Sequence, residues 1–161
     1  MNVSNGSGSF PQKAAGAGQD QIQQKRSVHI LMADDEPGML RSNKRMIQPA
    51  MSKAGLDAMI ETAENGQQAL DMINSSLAEG KRPDLCIFDC DMPIMDGITA
   101  LKEVKKLDST IPVIIYTAMS VNTDGTERAQ MVESLGGVFV LKDGGNMVES
   151  LMPAIKKALN L

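Results

Sequence analysis

A chain of 161 residues is long enough to close one hydrophobic core and too short for two domains of ordinary size. Its 20 acidic against 16 basic residues leave a formal charge of −4, the wrong sign for holding a nucleic-acid backbone electrostatically, so nucleic acid is not an expected direct partner. No apolar run approaches bilayer-spanning length and no basic segment precedes a hydrophobic stretch at the N-terminus, so no membrane segment is expected and a cytoplasmic location is.

Residues 1–26, rich in Gly, Ser, Gln and Ala, predict a disordered arm, and residues 27–161 a single folded domain. The first apolar run, Val28 to Ala33, stops at Asp34-Asp35-Glu36-Pro37, which predicts a strand ending there and a helix with Pro37 in its first turn. That helix reaches about Lys53 on the spacing of Met39, Leu40, Met46, Ile47, Ala50 and Met51. Pro49 inside it predicts a kink or an early end, because an interior proline costs about 3 kcal/mol in a regular helix. A short strand over Ala58 to Ala63 comes next, then a helix over Gln67 to Glu79, a buried strand over Leu85 to Asp89 and a helix over Gly97 to Leu107. After Pro112 the pattern gives a strand over Val113 to Thr117, a helix from about Thr126 to Leu135, a strand over Val138 to Leu141, and a last helix over Asn146 to Leu159 that contains Pro153.

Five apolar strands alternating with five helices, without hairpin turns between strands, predict an α/β fold with a parallel sheet covered on both faces. The expected architecture is a doubly wound five-stranded sheet in the flavodoxin-like order 2-1-3-4-5, whose ligand site lies at the carboxyl ends of the strands. The two cysteines belong to one strand and its exit, roughly 13 Å apart if extended, so Cys86 and Cys90 are expected as reduced thiols. With a single histidine, they cannot complete a soft metal site. His29, at the start of a buried strand, is read as structural, and the thirteen methionines mainly as core filling.

The expected topology carries Asp34-Asp35, Asp89, Thr117 and Lys142 from four strand ends to one edge. Carboxylates held that close repel, and a proton, a basic partner or a hard divalent cation relieves them; Mg2+ fits best because it accepts few carboxylates and keeps waters. With the metal and Lys142 offsetting charge, Asp89 can act as a nucleophile toward phosphorus, and Thr117 can hydrogen-bond the phosphoryl oxygens.

With those residues in order, the sequence resembles the receiver domain of two-component response regulators, in particular the single-domain, CheY-like kind. The matching pieces are Asp34-Asp35, the run Asp89-Cys90-Asp91-Met92-Pro93-Ile94-Met95-Asp96-Gly97, Thr117-Ala118 after Val113 to Tyr116, and Phe139-Val140-Leu141-Lys142. The resemblance covers residues 28 to 160 and makes residues 27–161 a receiver domain. It implies that Asp89 is the phosphoacceptor and that Asp34, Asp35, Asp89 and the backbone carbonyl of Asp91 hold Mg2+. Thr117 and Lys142 would contact the phosphoryl group, and Phe139 falls where the family keeps its switching aromatic. The implied partners are a sensor histidine kinase or histidine phosphotransfer protein and an unidentified downstream protein. The chain would be a signalling protein whose only chemistry is gaining and losing its own phosphoryl group. Two departures stand out: Lys142 is followed by Asp143 where the family commonly has proline, and Asn122-Thr123-Asp124-Gly125 looks like an extended loop.

Other readings compete. Asp35 before Glu36-Pro37 can be a helix cap, Asp96-Gly97 a plain turn, Thr117 an ordinary strand residue and Lys142 a solvated charge. Asp89-Cys90-Asp91 also matches the Asp-x-Asp of haloacid dehalogenase phosphatases, in which the first Asp is the nucleophile and the second a general acid. In that family the motif opens the fold and a threonine follows two residues later; here Pro93 occupies that place and two strands precede it. A degenerate receiver that only binds proteins would have lost an acidic or lysine position, and none is lost. The chain stops after the fifth helix, so output is expected through docking to another protein, or through service as a phosphoryl sink or relay.

Overall fold

The computed structural model describes residues 25–118, 125–142, 144 and 146–161. Ten elements alternate along them: β1 (Arg26–Ala33), α1 (Pro37–Lys53), β2 (Leu56–Ala63), α2 (Gly66–Ala78), β3 (Leu85–Phe88), α3 (Gly97–Leu107), β4 (Val113–Thr117), α4 (Gly125–Ser134), β5 (Val138–Leu141) and α5 (Met147–Ala158). The strands form one sheet in the order β2-β1-β3-β4-β5, every neighbouring pair parallel, as the sequence predicts.

Alternate residues of each strand feed two cores. Val28, Ile30 and Met32 of β1, with Ile87 of β3 and Ile114 of β4, meet Leu40, Ile47 and Met51 of α1 and Leu151 and Ile155 of α5. On the opposite face Leu31, Phe88 and Ile115 meet Ala69 and Ile73 of α2, Leu101 and Val104 of α3, and Val132 of α4. Full burial of one such Leu, Ile or Phe side chain is worth about 1.5–3 kcal/mol, so this two-sided pattern dictates the layers. Helix α4 contributes only Val132 to full burial, which leaves it the most lightly anchored of the five.

Three local expectations change. β1 starts at Arg26 and β2 at Leu56, because Arg26 and Ser27 pair with Leu56 and Asp57 through backbone that no apolar pattern marks. Arg26 therefore belongs to the sheet and not to the expected arm; of that arm, residues 1–24 lie outside the described residues. Helix α1 runs through Pro49 without ending. Pro49 and Arg45, whose carbonyl loses its usual donor, both lie exposed, so water can replace the missing bond. Pro153 sits in α5 in the same way, exposed along with Glu149.

At the outer edge of β2, Lys44 Nζ donates to the carbonyl of Ile60 at 2.9 Å and Gln48 Nε2 to that of Ala58 at 3.5 Å. These bonds occupy acceptors on which another strand would otherwise template. Among the described residues no helix is long and apolar enough to cross a membrane, and no peptide bond is cis. Asp143 and residues 122–124, where the two sequence departures fall, lie outside the described residues; Gly125 opens α4.

Candidate functional site

Strand register assembles the site. Ala33 pairs with Phe88, Phe88 with Ile115, and Thr117 with Leu141. The residues that leave these strands, Asp34, Asp89 and Lys142, thus emerge side by side at the carboxyl edge with Thr117. A cleft of about 350 Å3 opens there, lined by Asp34, Asp35, Asp89, Asp91, Thr117 and Lys142, and also by Glu36 and Met39. Backbone bonds hold the rim: Asp89 N–H donates to Ala33 O at 2.8 Å, Asp34 N–H to Ala63 O at 3.2 Å and Lys142 N–H to Thr117 O at 2.7 Å.

At the centre of the cleft stands Lys142. Its Nζ donates to Asp34 Oδ2 at 2.9 Å and to Asp89 Oδ1 at 2.8 Å, with side-chain exposures of 15% for the lysine, 6% for Asp34 and 11% for Asp89. The second oxygen of each carboxylate meets a backbone donor, Glu36 N–H on Asp34 Oδ1 at 2.9 Å and Asp91 N–H on Asp89 Oδ2 at 3.0 Å. Burial raises the proton affinity of Asp89 above the ordinary carboxylate range, and Lys142 offsets this only in part. For Lys142 burial opposes the charged form, yet its bonds to Asp89 and Asp34 outweigh that and hold it firmly as an ammonium ion. Thr117 is buried, with its hydroxyl giving only a long 3.3 Å bond to the carbonyl of Ala118, so that hydroxyl is available to a stronger acceptor.

The bland alternatives fare differently from residue to residue. Asp35 is exposed and makes no capping bond at the start of α1, where the cap position is Glu36. Lys142 is part-buried and doubly paired, not a solvated charge. Asp96 does cap α3, accepting from Thr99 N–H at 2.7 Å, and so belongs to the scaffold. His29 of β1 bonds Glu61 of β2 and does not line the cleft. Phe139 lies outside the cleft, half-buried on β5 against the core that includes Val132 of α4.

Close packing shapes the loop after β3. A Cβ at Gly97 would overlap the carbonyl oxygen of Asp89, so only glycine lets α3 start this near the strand. Ile94 takes the left-handed conformation at φ 68 and stands 83% exposed, an uncommon state for a β-branched residue.

Two residues near the site escape sequence reading. Tyr116 lies on β4 with its ring centroid 5.4 Å from Lys142 Nζ. Arg128 of α4 bonds Asp91 Oδ2 at 3.0 Å and Cys90 Sγ at 3.4 Å. The only sequence signal for Tyr116 is that a lone tyrosine directly precedes the strand-ending threonine; Arg128 gives none.

Oxygen donors, net negative charge and access to water suit a hard divalent cation. Among the described residues no three His, Cys, Asp or Glu side chains converge on one point in ligating geometry. Mg2+ does not require such a cage, since it keeps several waters and takes one or two carboxylates. Asp34, Asp35 and Asp89 therefore fit it as donors, with the Asp91 carbonyl as a further oxygen.

Comparison with known proteins identifies the family. The family model described as response regulator receiver domain matches residues 30–142. The chain is 33% identical over 134 residues to the chemotaxis protein CheY of Bacillus subtilis, covering 81% of this chain and 97% of that protein. Sporulation initiation phosphotransferase F of Bacillus subtilis is 38% identical over 89 residues, which is 55% of this chain and 63% of that one. Two protein-glutamate methylesterases are matched over only 30% and 36% of their own lengths. Among solved structures, the response regulator TrrA of Thermotoga maritima, in complex with Mg2+ and BeF, is 27% identical with a TM-score of 0.64, covering 82% of this chain and 99% of that one.

Proposed function

Since this chain belongs to the response regulator receiver family, whose members are phosphoacceptor signalling proteins, we propose that Asp89 is its phosphoacceptor and that the cleft around Lys142 is where transfer occurs. The observation that carries this reading is the bridge of Lys142 between Asp34 and Asp89 inside a cleft open to solvent.

In the proposed reaction one carboxylate oxygen of Asp89 attacks the phosphorus of a phosphohistidine. An O–P bond forms, the P–N bond breaks, and the imidazole leaves with the bonding pair, as the neutral ring if it was protonated. Burial makes Asp89 more basic than an ordinary carboxylate, which favours it as a nucleophile once ionised. Lys142 holds Asp89 in place beforehand and afterwards turns toward a phosphoryl oxygen, where its charge offsets the charge that has arrived. The Thr117 hydroxyl exchanges its long bond to Ala118 for a phosphoryl oxygen. Mg2+, when bound by Asp34, Asp35, Asp89 and the Asp91 carbonyl, supplies Lewis-acid stabilisation of the transferring group.

Movement of Thr117 toward the phosphoryl group leaves space behind it. Phe139, half-buried on the neighbouring strand, can turn into that space and alter the face made by α4, β5 and α5. The readout is then a protein docked on that face. The donor is a sensor histidine kinase or histidine phosphotransfer protein in the cytoplasm, and the receiver unit begins with β1 at Arg26. The phosphatase reading finds less support, because Asp91, which would be its general acid, is 56% exposed and paired with Arg128.

Beryllofluoride, a phosphoryl mimic, tests the assignment. Together with Mg2+ it should shift the amide signals of Asp89, Thr117, Lys142 and Phe139, and leave an Asp89→Asn variant unchanged. Equal shifts in that variant would place the acceptor elsewhere.

A further inference from the structure

Resting on the reading of Asp89 as acceptor, we propose that Tyr116 is a positioning residue for Lys142, its ring face holding the ammonium group over the cleft. Two carboxylates alone do not fix where a lysine head sits, since its long stem is flexible and their hold changes when one of them is phosphorylated. The aromatic face is a third contact that phosphorylation leaves intact.

The geometry is specific. Lys142 Nζ lies 5.4 Å from the centroid of the Tyr116 ring, inside the range in which a cation is drawn to the ring quadrupole. The ring itself has little freedom, because Tyr116 is 5% exposed and belongs to the core beneath α1 and α5. Tyr116 also pairs with Val140 across the β4–β5 ladder. The lysine is tied at its other end as well, since its backbone N–H donates to the carbonyl of Thr117, the residue next to Tyr116. Backbone on Thr117 and head over Tyr116 together confine the side chain to one arc across the strand end.

Charge explains why an aromatic residue is useful here. An ammonium group has three donors, and two of them meet Asp34 and Asp89. A further carboxylate would compete with the arriving phosphoryl group for the third, and an aliphatic residue would offer the charge nothing. The ring attracts the charge over its whole face without demanding a directed hydrogen bond, so the head can turn from Asp89 to a phosphoryl oxygen without leaving its support.

The experiment compares Tyr116→Phe, Tyr116→Met and Tyr116→Leu with wild type, using a small acyl phosphate donor with Mg2+ and 1H–13C spectra of the Lys142 side chain. Tyr116→Phe keeps the ring and should phosphorylate within about twofold of wild type. Tyr116→Met and Tyr116→Leu should be slower by about 3- to 30-fold, the rate equivalent of one cation–π contact. On a Lys142→Ala background, Tyr116→Met should cost nothing more; a further loss there would mark a merely structural role and overturn the proposal. The Lys142 ε-methylene protons should be shifted upfield by the ring in wild type and Tyr116→Phe, and return to ordinary values in the other two. Ordinary values in wild type would overturn the proposal even if neither ringless variant folds. If wild type takes up no phosphoryl group, the acceptor reading fails while the side-chain shift still decides the contact.

Discussion

Arg128 of α4 reaches back to Asp91 and Cys90, the two residues that directly follow Asp89, at 3.0 Å and 3.4 Å. The bond fastens a lightly anchored helix to the loop that carries the acceptor. As an ion pair at the rim, with Asp91 56% exposed, it adds little stability. It is also a direct side-chain link between that loop and α4.

Arg128→Ala should therefore cost less than about 1 kcal/mol in urea unfolding. The same variant should lose a large part of the amide shifts that a phosphoryl mimic causes along Gly125–Ser134. Full-sized shifts there would show that the signal reaches α4 by another route, such as Thr117 and Phe139.

A stability prediction comes from Asp89. Its folded-state proton affinity is raised, chiefly by burial and only partly offset by Lys142, from an ordinary value of 3.8. A carboxyl raised in the folded state contributes stability that is present at low pH and lost as pH rises from 3.8 through the folded value. At neutral pH the ionised group is thus a net cost. Asp89→Asn should melt a few degrees higher than wild type at neutral pH in the absence of Mg2+, with the gain shrinking as pH falls toward 3.8. A lower melting temperature for the variant at neutral pH would contradict this sign.

Lys142→Met should have the opposite effect. It leaves Asp34 and Asp89, at 6% and 11% side-chain exposure, facing each other without a cation. Because the cleft is open to water, the loss should be about 1–3 kcal/mol, below the range for a fully buried pair. Mg2+ should restore part of it. The chain has one tyrosine and no tryptophan, so Tyr116 fluorescence reports both the unfolding and the metal titration. No gain from Mg2+ would remove the carboxylates as its donors.

Much of this was legible beforehand because each site residue ends an apolar run: Asp34 after Ala33, Asp89 after Phe88, Thr117 after Tyr116 and Lys142 after Leu141. A doubly wound sheet brings such endings together whatever the details of its helices. The beginnings of β1 and β2 were not legible, since Arg26 and Ser27 join the ladder through backbone alone. Nor was the survival of α1 past Pro49, which depends on which side of the helix faces water. Tyr116 looked like one more strand residue, because only the return of Lys142 over its ring gives it a role. Arg128 and Asp91 are 37 residues apart, on a helix whose weak apolar pattern does not set its rotation.

The thiols give a further check. Burial pushes Cys86 up to about 12 and Cys90 to about 11, so both are protonated at neutral pH. Neither should react with iodoacetamide in the native protein within minutes, and both should react fully in denaturant. Rapid native labelling of Cys90 would mean that the loop beside Arg128 opens often.

The most direct measurement is intact mass after incubation with Mg2+ and a small phosphodonor, for wild type, Asp89→Asn and Asp91→Asn. The acceptor reading predicts one added phosphoryl group, removed by base, on wild type and Asp91→Asn, and none on Asp89→Asn. An unmodified wild type, or a phosphorylated Asp89→Asn, would contradict it.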